Sequence, residues 1–230
     1  MTYLNQKTFQ GLFMAATITL TFTSCLGPRM VNKWVAHHYQ ENPSEAPKKK
    51  NDQITIVSKL PGTDDKPSTT EKNVSHLLPL IFYWQFDYRN TCTLNPNLPV
   101  NNFTSAVANY SGHGLKQKLN GNRLELTIEQ MPQAFVVDDK GHIIWIIYVF
   151  GWEKLNVQPQ KQEMVVSYRE LNPNNEVVKT GKVTVSDVNA EMSLKMFQSL
   201  KKLTWRYLDE YDANITAMSK KCMDKVSADL

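Results

Sequence analysis

The C-terminal quarter of the chain carries the feature that most limits its fold, a stripe of apolar residues at helical spacing. Between Ala190 and Val226 such residues recur every three to four positions, which predicts one long amphipathic helix or two consecutive ones. They include Phe197, Leu200, Leu203, Leu208, Tyr211, Ile215, Met218 and Cys222. The stripe has to be buried, and its N-terminal half is expected to cover a sheet. The C-terminal half of the stripe has two possible interpretations, packing on its own domain or pairing with another chain.

The segments before this helix are mostly strands, because apolar and polar residues alternate in them with a period of two. They are Gln53–Lys59, His76–Asn90, Arg123–Glu129, His142–Leu155, and a hairpin of Gln162–Asn172 with Glu176–Val188. His142–Leu155 is apolar on both faces as far as Phe150, which predicts a central strand covered on both sides. Asp138–Gly141, just before it, is expected to be a hairpin turn.

Four further segments complete the outline. Asn102–Asn120 has apolar residues near helical spacing and predicts one helix. Gly112 and Gly114 lie in it, and they either permit close packing or break the helix, since each costs about 1 kcal/mol relative to alanine. Pro61–Ser75 has no apolar cluster and is expected to be a flexible loop. Leu26–Glu41 is expected to form a short amphipathic helix, either lying on a membrane or docked on the domain.

This order of elements is typical of the α+β class. We expect an antiparallel sheet of about five to six strands, with one mid-chain helix and a long C-terminal helix on one face. The apolar fraction of 41% is sufficient for one core of this kind. The single domain is expected to cover residues 53–230, after a polar linker that contains two prolines and ends at residue 52.

The first 25 residues differ in kind from the rest of the chain. Phe9–Phe22 is an uncharged run of about 14 residues, shorter than the ~20 apolar residues with which a helix crosses a bilayer. Its length suits the apolar region of a signal peptide, and small residues follow it before Cys25. A signal peptide over residues 1–24 is expected. The alternatives are an ordinary signal peptide cut nearby and an uncleaved amphipathic anchor.

Phe22-Thr23-Ser24-Cys25 resembles the lipobox of bacterial lipoprotein precursors, with phenylalanine in the place of the usual leucine. The resemblance implies that the chain is cut before Cys25 and that this cysteine is acylated, for example with palmitate. Two or more acyl chains hold a protein on a bilayer, so a lipidated Cys25 would replace a transmembrane helix, and residues 25–52 would link it to the domain. Leu26 stands where some lipoproteins have an aspartate that retains them in the inner membrane, which implies sorting to the outer membrane.

The charge pattern argues against nucleic-acid binding. The net charge is +4, and the lysines form small separate clusters at residues 48–50, 201–202 and 220–221. A nucleic-acid-binding protein has a denser basic stripe. These clusters are therefore interpreted as solvated surface.

The cysteines suggest a pairing that follows from the lipid anchor. If Cys25 carries lipid, Cys92 and Cys222 remain as an even pair in an oxidising compartment. A disulfide between them is predicted, and it would tie an early strand to the C-terminal helix. The alternative is that Cys222 is a small apolar residue on a buried helix face.

The sequence assigns no catalytic residue, cofactor or metal. It contains neither a phosphate-binding loop nor the nucleophile elbow of hydrolases. His37 and His38 are adjacent and do not share a helix face, and the 138–141 segment lacks the remaining ligands of a calcium loop. A hydrolase with a dispersed site would have to draw on Asp87, His113, Glu129 and His142.

A lipid anchor, a linker and a small α+β domain are similar in arrangement to bacterial auxiliary lipoproteins of envelope transport and assembly machines. The resemblance implies a non-enzymatic accessory or binding protein of the cell envelope, at the outer membrane on its periplasmic side or surface. Besides the membrane, it would have a protein partner at the C-terminal helix or a sheet edge. Two alternatives remain open: the dispersed hydrolase, and a carrier of a small hydrophobic ligand or lipid, with residues 80–88 and 143–150 lining its cavity.

Overall fold

The computed structural model describes residues 27–41, 53–62, 65–110, 114–146, 149–186 and 189–230. The expected signal peptide, the acylated Cys25, most of the linker and His113 lie outside these ranges. The interpretation of the N-terminal region therefore stays a prediction, and the fold below concerns the described residues.

The predicted α+β class is confirmed. The helices are α1 (Pro28–Glu41), α2 (Asn97–Ala108), α3 (Leu115–Leu119) and α4 (Leu200–Asp229). The strands are β1 (Ile54–Ser58), β2 (Ser68–Pro79), β3 (Tyr83–Leu94), β4 (Arg123–Gln130), β5 (Ala134–Trp145), β6 (Val149–Pro159), β7 (Glu163–Leu171), β8 (Val177–Ser186) and β9 (Met192–Ser193). They form two sheets rather than one, a four-stranded sheet in the order β1-β4-β7-β8 and a five-stranded sheet in the order β2-β3-β5-β6-β9.

The four-stranded sheet follows the alternation in the sequence closely. Leu124, Leu126 and Ile128 of β4 are fully buried, and the residues between them are partly exposed. β4 pairs with β1 in parallel and with β7 antiparallel, and β7 and β8 form the predicted hairpin. In this sheet the period-two pattern was therefore a reliable guide to the strands.

α4 buries its apolar stripe within the chain along its whole length. Buried side chains run from Leu203 near its start to Val226 in its last turn. They join the apolar residues of α1 and of both sheets in one cluster. The buried hydroxyl of Tyr211 donates to the carbonyl oxygen of Pro132 at 2.7 Å. Of the two interpretations of the C-terminal half of the stripe, packing on its own domain is the one observed.

The C-terminal helix begins later than its predicted start at Ala190. Met192 and Ser193 form β9, which pairs with Val157 and Asn156 of β6. Ser199 then caps α4, because its hydroxyl accepts a hydrogen bond from the backbone N–H of Lys202 at 3.3 Å. A serine in this position was the signal for the true start.

α1 is docked on the domain, which is one of its two expected positions. Val31 and Val35 are fully buried. The side-chain oxygen of Asn32 accepts hydrogen bonds from the hydroxyls of Ser68 and Thr70 on β2, both at 2.7 Å. The indole N–H of Trp205 on α4 donates to the backbone carbonyl of Trp34 at 2.9 Å.

The predicted mid-chain helix is displaced and divided. α2 begins at Asn97, whose N–H donates to the side chain of Asn95 at 2.9 Å, and ends at Ala108. Gly114 has a φ of 68°, in the left-handed region, and precedes the short α3. Of the two roles considered for the glycines, breaking the helix is therefore confirmed at Gly114.

The prediction of a turn at Asp138–Gly141 and of one central strand at His142–Leu155 was wrong. β5 runs straight through residues 138–141, between β3 and β6, and the turn falls between Trp145 and Val149. Two of the three charged residues that suggested a turn are paired across strands, Asp138 with Arg89 and Lys140 with Asp87. Gly141 lies within the strand, opposite Phe86. A glycine is needed at this position because a Cβ there would overlap the ring of Phe86.

The prediction of a flexible loop at Pro61–Ser75 was also wrong over its second half. Ser68–Pro79 is β2, an edge strand paired with β3 along its length. Its side chains from Glu71 onward are exposed, so it carries no apolar alternation. Backbone pairing with β3 stabilises it instead, and hydrophobic periodicity does not report such pairing.

Candidate functional site

The five-stranded sheet projects beyond the core of the domain. β2 is exposed on every residue from Glu71 to Pro79, and β6 is exposed from Val149 to Lys154. The two strands between them are only partly buried at this end. Two hairpins, β2–β3 and β5–β6, thus extend side by side into solvent.

The ends of the two hairpins are joined by backbone pairing. Tyr83 lies opposite Ile144 and Trp84 opposite Ile143, in an antiparallel ladder. The N–H of Trp145 donates to the carbonyl of Phe82 at 2.8 Å. Residues 77–84 of the first hairpin therefore form one continuous surface with residues 143–146 and 149–152 of the second, and we name this surface the apolar tip.

The apolar tip has no charged residue over either of its two segments. Ile81, Phe82 and Ile146 at its extremity are 87%, 64% and 74% exposed. Leu77, Leu78, Leu80, Val149, Phe150 and Trp152 are also exposed. Exposed apolar residues scattered singly are ordinary on a protein surface, whereas these nine side chains are grouped at the ends of two paired hairpins. A large contiguous patch of this kind is typical of an interaction surface.

The tip is apolar on both faces of the sheet. Residues opposite each other on paired strands point to the same face. Pro79, Trp84, Ile143 and Gly151 form one such row, and Tyr83, Ile144 and Phe150 form a row on the other face. The turns at Ile81 and Ile146 close the end. An apolar environment would therefore have to surround the tip rather than cover one side.

Aromatic and polar side chains follow directly below the tip. The hydroxyl of Tyr83 is 2.6 Å from Nδ1 of His142, and the ring of Trp152 stacks on that histidine at 5.1 Å between centroids. The nearest charged residues on the inner strands are Asp87 and Lys140, which pair at 3.1 Å. Lys140 is five residues from Trp145, about 16 Å along the strand.

One buried carboxyl lies among these groups. Asp139 of β5 is 8% exposed. Burial raises its pKa to about 7, and the neighbouring carboxyl of Glu153 and the charge of Asp87 act in the same direction.

The candidates for a dispersed hydrolase site are engaged elsewhere. Glu129 lies on the four-stranded sheet, where hydrogen bonds from Lys182 and Ser167 lower its pKa. Asp87 and His142 are on the other sheet, each with the partner given above. His113 is not described. The structure brings together no nucleophile, base and orienting acid among the described candidates.

The predicted disulfide is not formed in the structure. Cys92 and Cys222 are free thiols, and both are buried. Cys92 lies in β3 opposite Thr70 and Phe135, and burial raises its pKa to about 11. Cys222 is part of the apolar stripe of α4, where burial raises its pKa to about 12. Cys222 thus lies on a buried helix face, as the alternative describes, and the pairing of the two cysteines in an oxidising compartment stays a prediction.

The described residues contain no cluster of three His, Cys, Asp or Glu side chains arranged for a metal ion. A cavity of about 480 Å³ lies at the opposite end of β2 and β3 from the tip. It is lined by Gly62, Lys66, Ser68, Thr69, Thr93, Leu94 and Asn95, mostly polar residues. Residues 80–88 and 143–150, the expected lining of a carrier cavity, contribute to the tip and the strands below it instead.

Fold and site together define an α+β protein with an exposed, two-hairpin apolar tip. None of the helices among the described residues combines the length and the apolar character needed to traverse a bilayer. No protein-family model, no curated protein and no solved structure matches the chain. The function is therefore inferred from the geometry of the tip.

Proposed function

We propose that this chain is a non-enzymatic protein of a membrane surface, which inserts its apolar tip into one leaflet of a lipid bilayer. The observation that carries the proposal is the uncharged tip, apolar on both faces and at its turns. A protein groove covers one face of a sheet, whereas acyl chains surround whatever enters them. The chemistry of the tip therefore favours lipid over a protein partner.

The dimensions of the tip suit one leaflet. Each arm carries about four apolar residues, which reach about 13 Å at the rise of a strand. Half of the hydrocarbon core of a bilayer is about 15 Å thick. Tyr83, Trp84 and Trp152 would lie near the level of the headgroups, which tyrosine and tryptophan prefer. The charged pair of Asp87 and Lys140 would then stay in water.

The proposed acyl chains on Cys25 would be a second attachment to the same membrane or to a neighbouring one. Two modest signals together give stable anchoring where one is reversible. α1 begins at Pro28, three residues after Cys25, and is docked on the domain. A lipid on Cys25 would therefore hold the domain itself close to the bilayer, as an envelope lipoprotein requires.

A protein partner in the envelope also belongs to the proposal, and its place is a sheet edge. The apolar stripe of α4 is buried within the chain, which leaves it no apolar face to offer. Among the described residues β2 is the edge strand beside β3, and an extended segment of another protein would add to it through backbone hydrogen bonds. The carrier and hydrolase alternatives find no supporting site among the described residues.

The test is co-sedimentation of the full chain, carrying Cys25→Ser to remove acylation, with phosphatidylcholine vesicles. The double variant Ile81→Ser, Phe82→Ser is expected to bind at least tenfold more weakly. Each side chain contributes about 1.5–3 kcal/mol when transferred from water into an apolar phase, and 1.4 kcal/mol is tenfold.

The matched control is Val177→Ser with Val178→Ser. These valines of β8 are 52% and 57% exposed, but they lie on the four-stranded sheet. Their replacement is expected to leave binding unchanged. Equal losses in both double variants would indicate nonspecific adhesion, and absence of binding by the parent chain would refute the proposed function.

A further inference from the structure

Two carboxyl groups lie on the arms of the hairpin that carries half of the tip. Asp139 is on β5 and Glu153 is on β6. Glu153 is opposite Gly141, two positions along from Asp139, so both side chains are on the same face of the sheet. Oδ1 of Asp139 is buried and receives no hydrogen bond from a donor among the described residues.

The charges that reach Asp139 are acidic. They belong to Glu153 on β6 and Asp87 on β3. The neighbouring cations are engaged with other groups: Lys140 pairs with Asp87, and Lys72 of β2 lies 4.8 Å from the ring of Tyr88. The pair of Asp139 and Glu153 therefore has no dedicated cation to neutralise it within the described ranges of the chain.

A hydrogen bond between two carboxyl groups needs a proton on one of them. With that proton, the pair links β5 to β6 across the hairpin and carries one negative charge less. Without it, two carboxylates repel each other at a site partly removed from water.

We propose that this carboxyl pair makes membrane insertion of the apolar tip dependent on acid, with the protonated pair as the state that inserts. The inference rests on the proposed function of the tip. Protonation favours insertion in two ways. It allows a hydrogen bond between the carboxyl groups of β5 and β6, and it removes a charge that would otherwise approach the bilayer. The pair is thus a device for sensing pH, built next to the surface it controls.

The direction of the pH dependence follows from the linkage between proton binding and stability. The folded pKa of Asp139, about 7, is raised by burial above its ordinary value of 3.8. A raised carboxyl pKa contributes stability that is complete below the ordinary value and is lost as pH rises through the folded value. The hairpin is therefore most firmly joined, and least charged, on the acid side of neutrality.

The experiment measures vesicle binding of the full chain, again with Cys25→Ser, at pH 6 and pH 8. Phosphatidylcholine vesicles are used because their headgroup does not change charge between these values. Binding is expected to be about tenfold tighter at pH 6, since a further pKa shift of one unit on insertion corresponds to a factor of ten.

Asp139→Asn is the diagnostic variant. The amide of the new asparagine donates to Glu153 without a titrating proton. This variant should therefore bind vesicles equally at both pH values, and as tightly as the parent does at pH 6. Glu153→Gln supplies an equivalent donor to Asp139 and serves if the first variant does not fold. Glu191→Gln, which removes an exposed partner of Lys154, is the control and should keep the pH dependence.

The outcomes separate the two proposals. Binding that is equal at both pH values, or a pH dependence that survives in Asp139→Asn and Glu153→Gln, overturns the inference and leaves the membrane function standing. Absence of binding at either pH overturns the proposed function and this inference with it. Stronger binding in acid that is lost in both carboxyl variants supports the inference.

Discussion

The two ends of the five-stranded sheet share the same strands and differ in what covers them. At one end Cys92, Phe135, Val137 and Val157 are buried in the core shared with α1 and α4. At the other end the same strands continue into the apolar tip, where Ile81 is almost fully exposed. Apolar content alone therefore does not determine burial, because burial also needs another element within reach.

The two ends also differ in whether their apolar side chains serve stability or interaction. Apolar side chains of the covered end stabilise the fold, since their transfer from water is complete in the isolated chain. Those of the tip stay in water in the isolated chain, so they contribute little to the stability of the fold. Their transfer from water would be completed only when a partner or a membrane covers them. A protein that maintains so large an apolar surface in water does so at a risk of aggregation, which is why the tip is interpreted as functional.

Truncating one phenylalanine at each end should give the largest contrast in stability. Phe135→Ala removes a fully buried ring that packs against Tyr207 at 5.1 Å, and it should lower the free energy of unfolding by about 3–5 kcal/mol. Phe82→Ala should change that free energy by less than about 0.5 kcal/mol. Denaturant unfolding measures both. Similar losses would mean that the tip is packed against something within the chain.

Asp212 in α4 and Asp139 below the tip should differ in the pH range over which their ionisation lowers stability. Asp212 of α4 accepts hydrogen bonds from Asn102 at 2.7 Å and from Tyr39 at 3.3 Å, yet burial raises its pKa to about 6. Stability from this group is complete below its ordinary value of 3.8 and is lost as pH rises through 6. Asp212→Asn should therefore remove a pH-dependent loss on the order of 2–3 kcal/mol.

Unfolding of this variant and its parent at pH 4 and pH 8 is the measurement. Asp139→Asn should likewise remove a pH-dependent loss, and the loss it removes extends to higher pH, because the carboxyl of Asp139 has a pKa of about 7. If Asp212→Asn kept the full pH dependence of its parent, ionisation of Asp212 would not lower the free energy of unfolding. The proposed difference between Asp212 and Asp139 would then be wrong.

The smallest expected change in stability comes from removing a tyrosine hydroxyl, either in the core or below the tip. Tyr211→Phe leaves the carbonyl of Pro132 without its buried donor and should cost about 1–2 kcal/mol. Tyr83→Phe, below the tip, should cost less than about 0.5 kcal/mol, because water can reach its partners. Thermal unfolding resolves both. A large loss in Tyr83→Phe would assign the aromatic groups below the tip a structural role.

Much of the four-stranded sheet and of α4 was predictable, because the patterns that identify them are local in the sequence. The alternation in β4, β7 and β8 and the stripe of α4 each report one covered face. The serine cap and Gly114 mark where helices begin and break. The edge strand β2 was missed because its side chains are exposed on both faces from Glu71 onward and show no alternation. Residues 138–141 were misread because charged residues next to a glycine resemble the composition of a turn.

The candidate site was missed for a related reason. The sequence shows that residues 77–84 and 143–152 are apolar and uncharged, and such a run is normally a buried strand. Its residues 146–148 contain no glycine, proline or asparagine, so nothing marked the turn. The signal available in the sequence was that two segments far apart in the chain both lack charge. Such segments can form one apolar surface when the hairpins that carry them pair side by side.

The sequence by itself determined the α+β class, the amphipathic helices and the absence of charge from the two tip segments, because these depend on residue types at fixed spacing. It also supports the expected lipid anchor at Cys25, which stays a prediction. Only the tertiary structure decided that the strands divide between two sheets and that two hairpins meet beyond the cover of the helices. Exposure depends on what lies opposite a side chain, and that neighbour is set by contacts between residues far apart in the chain.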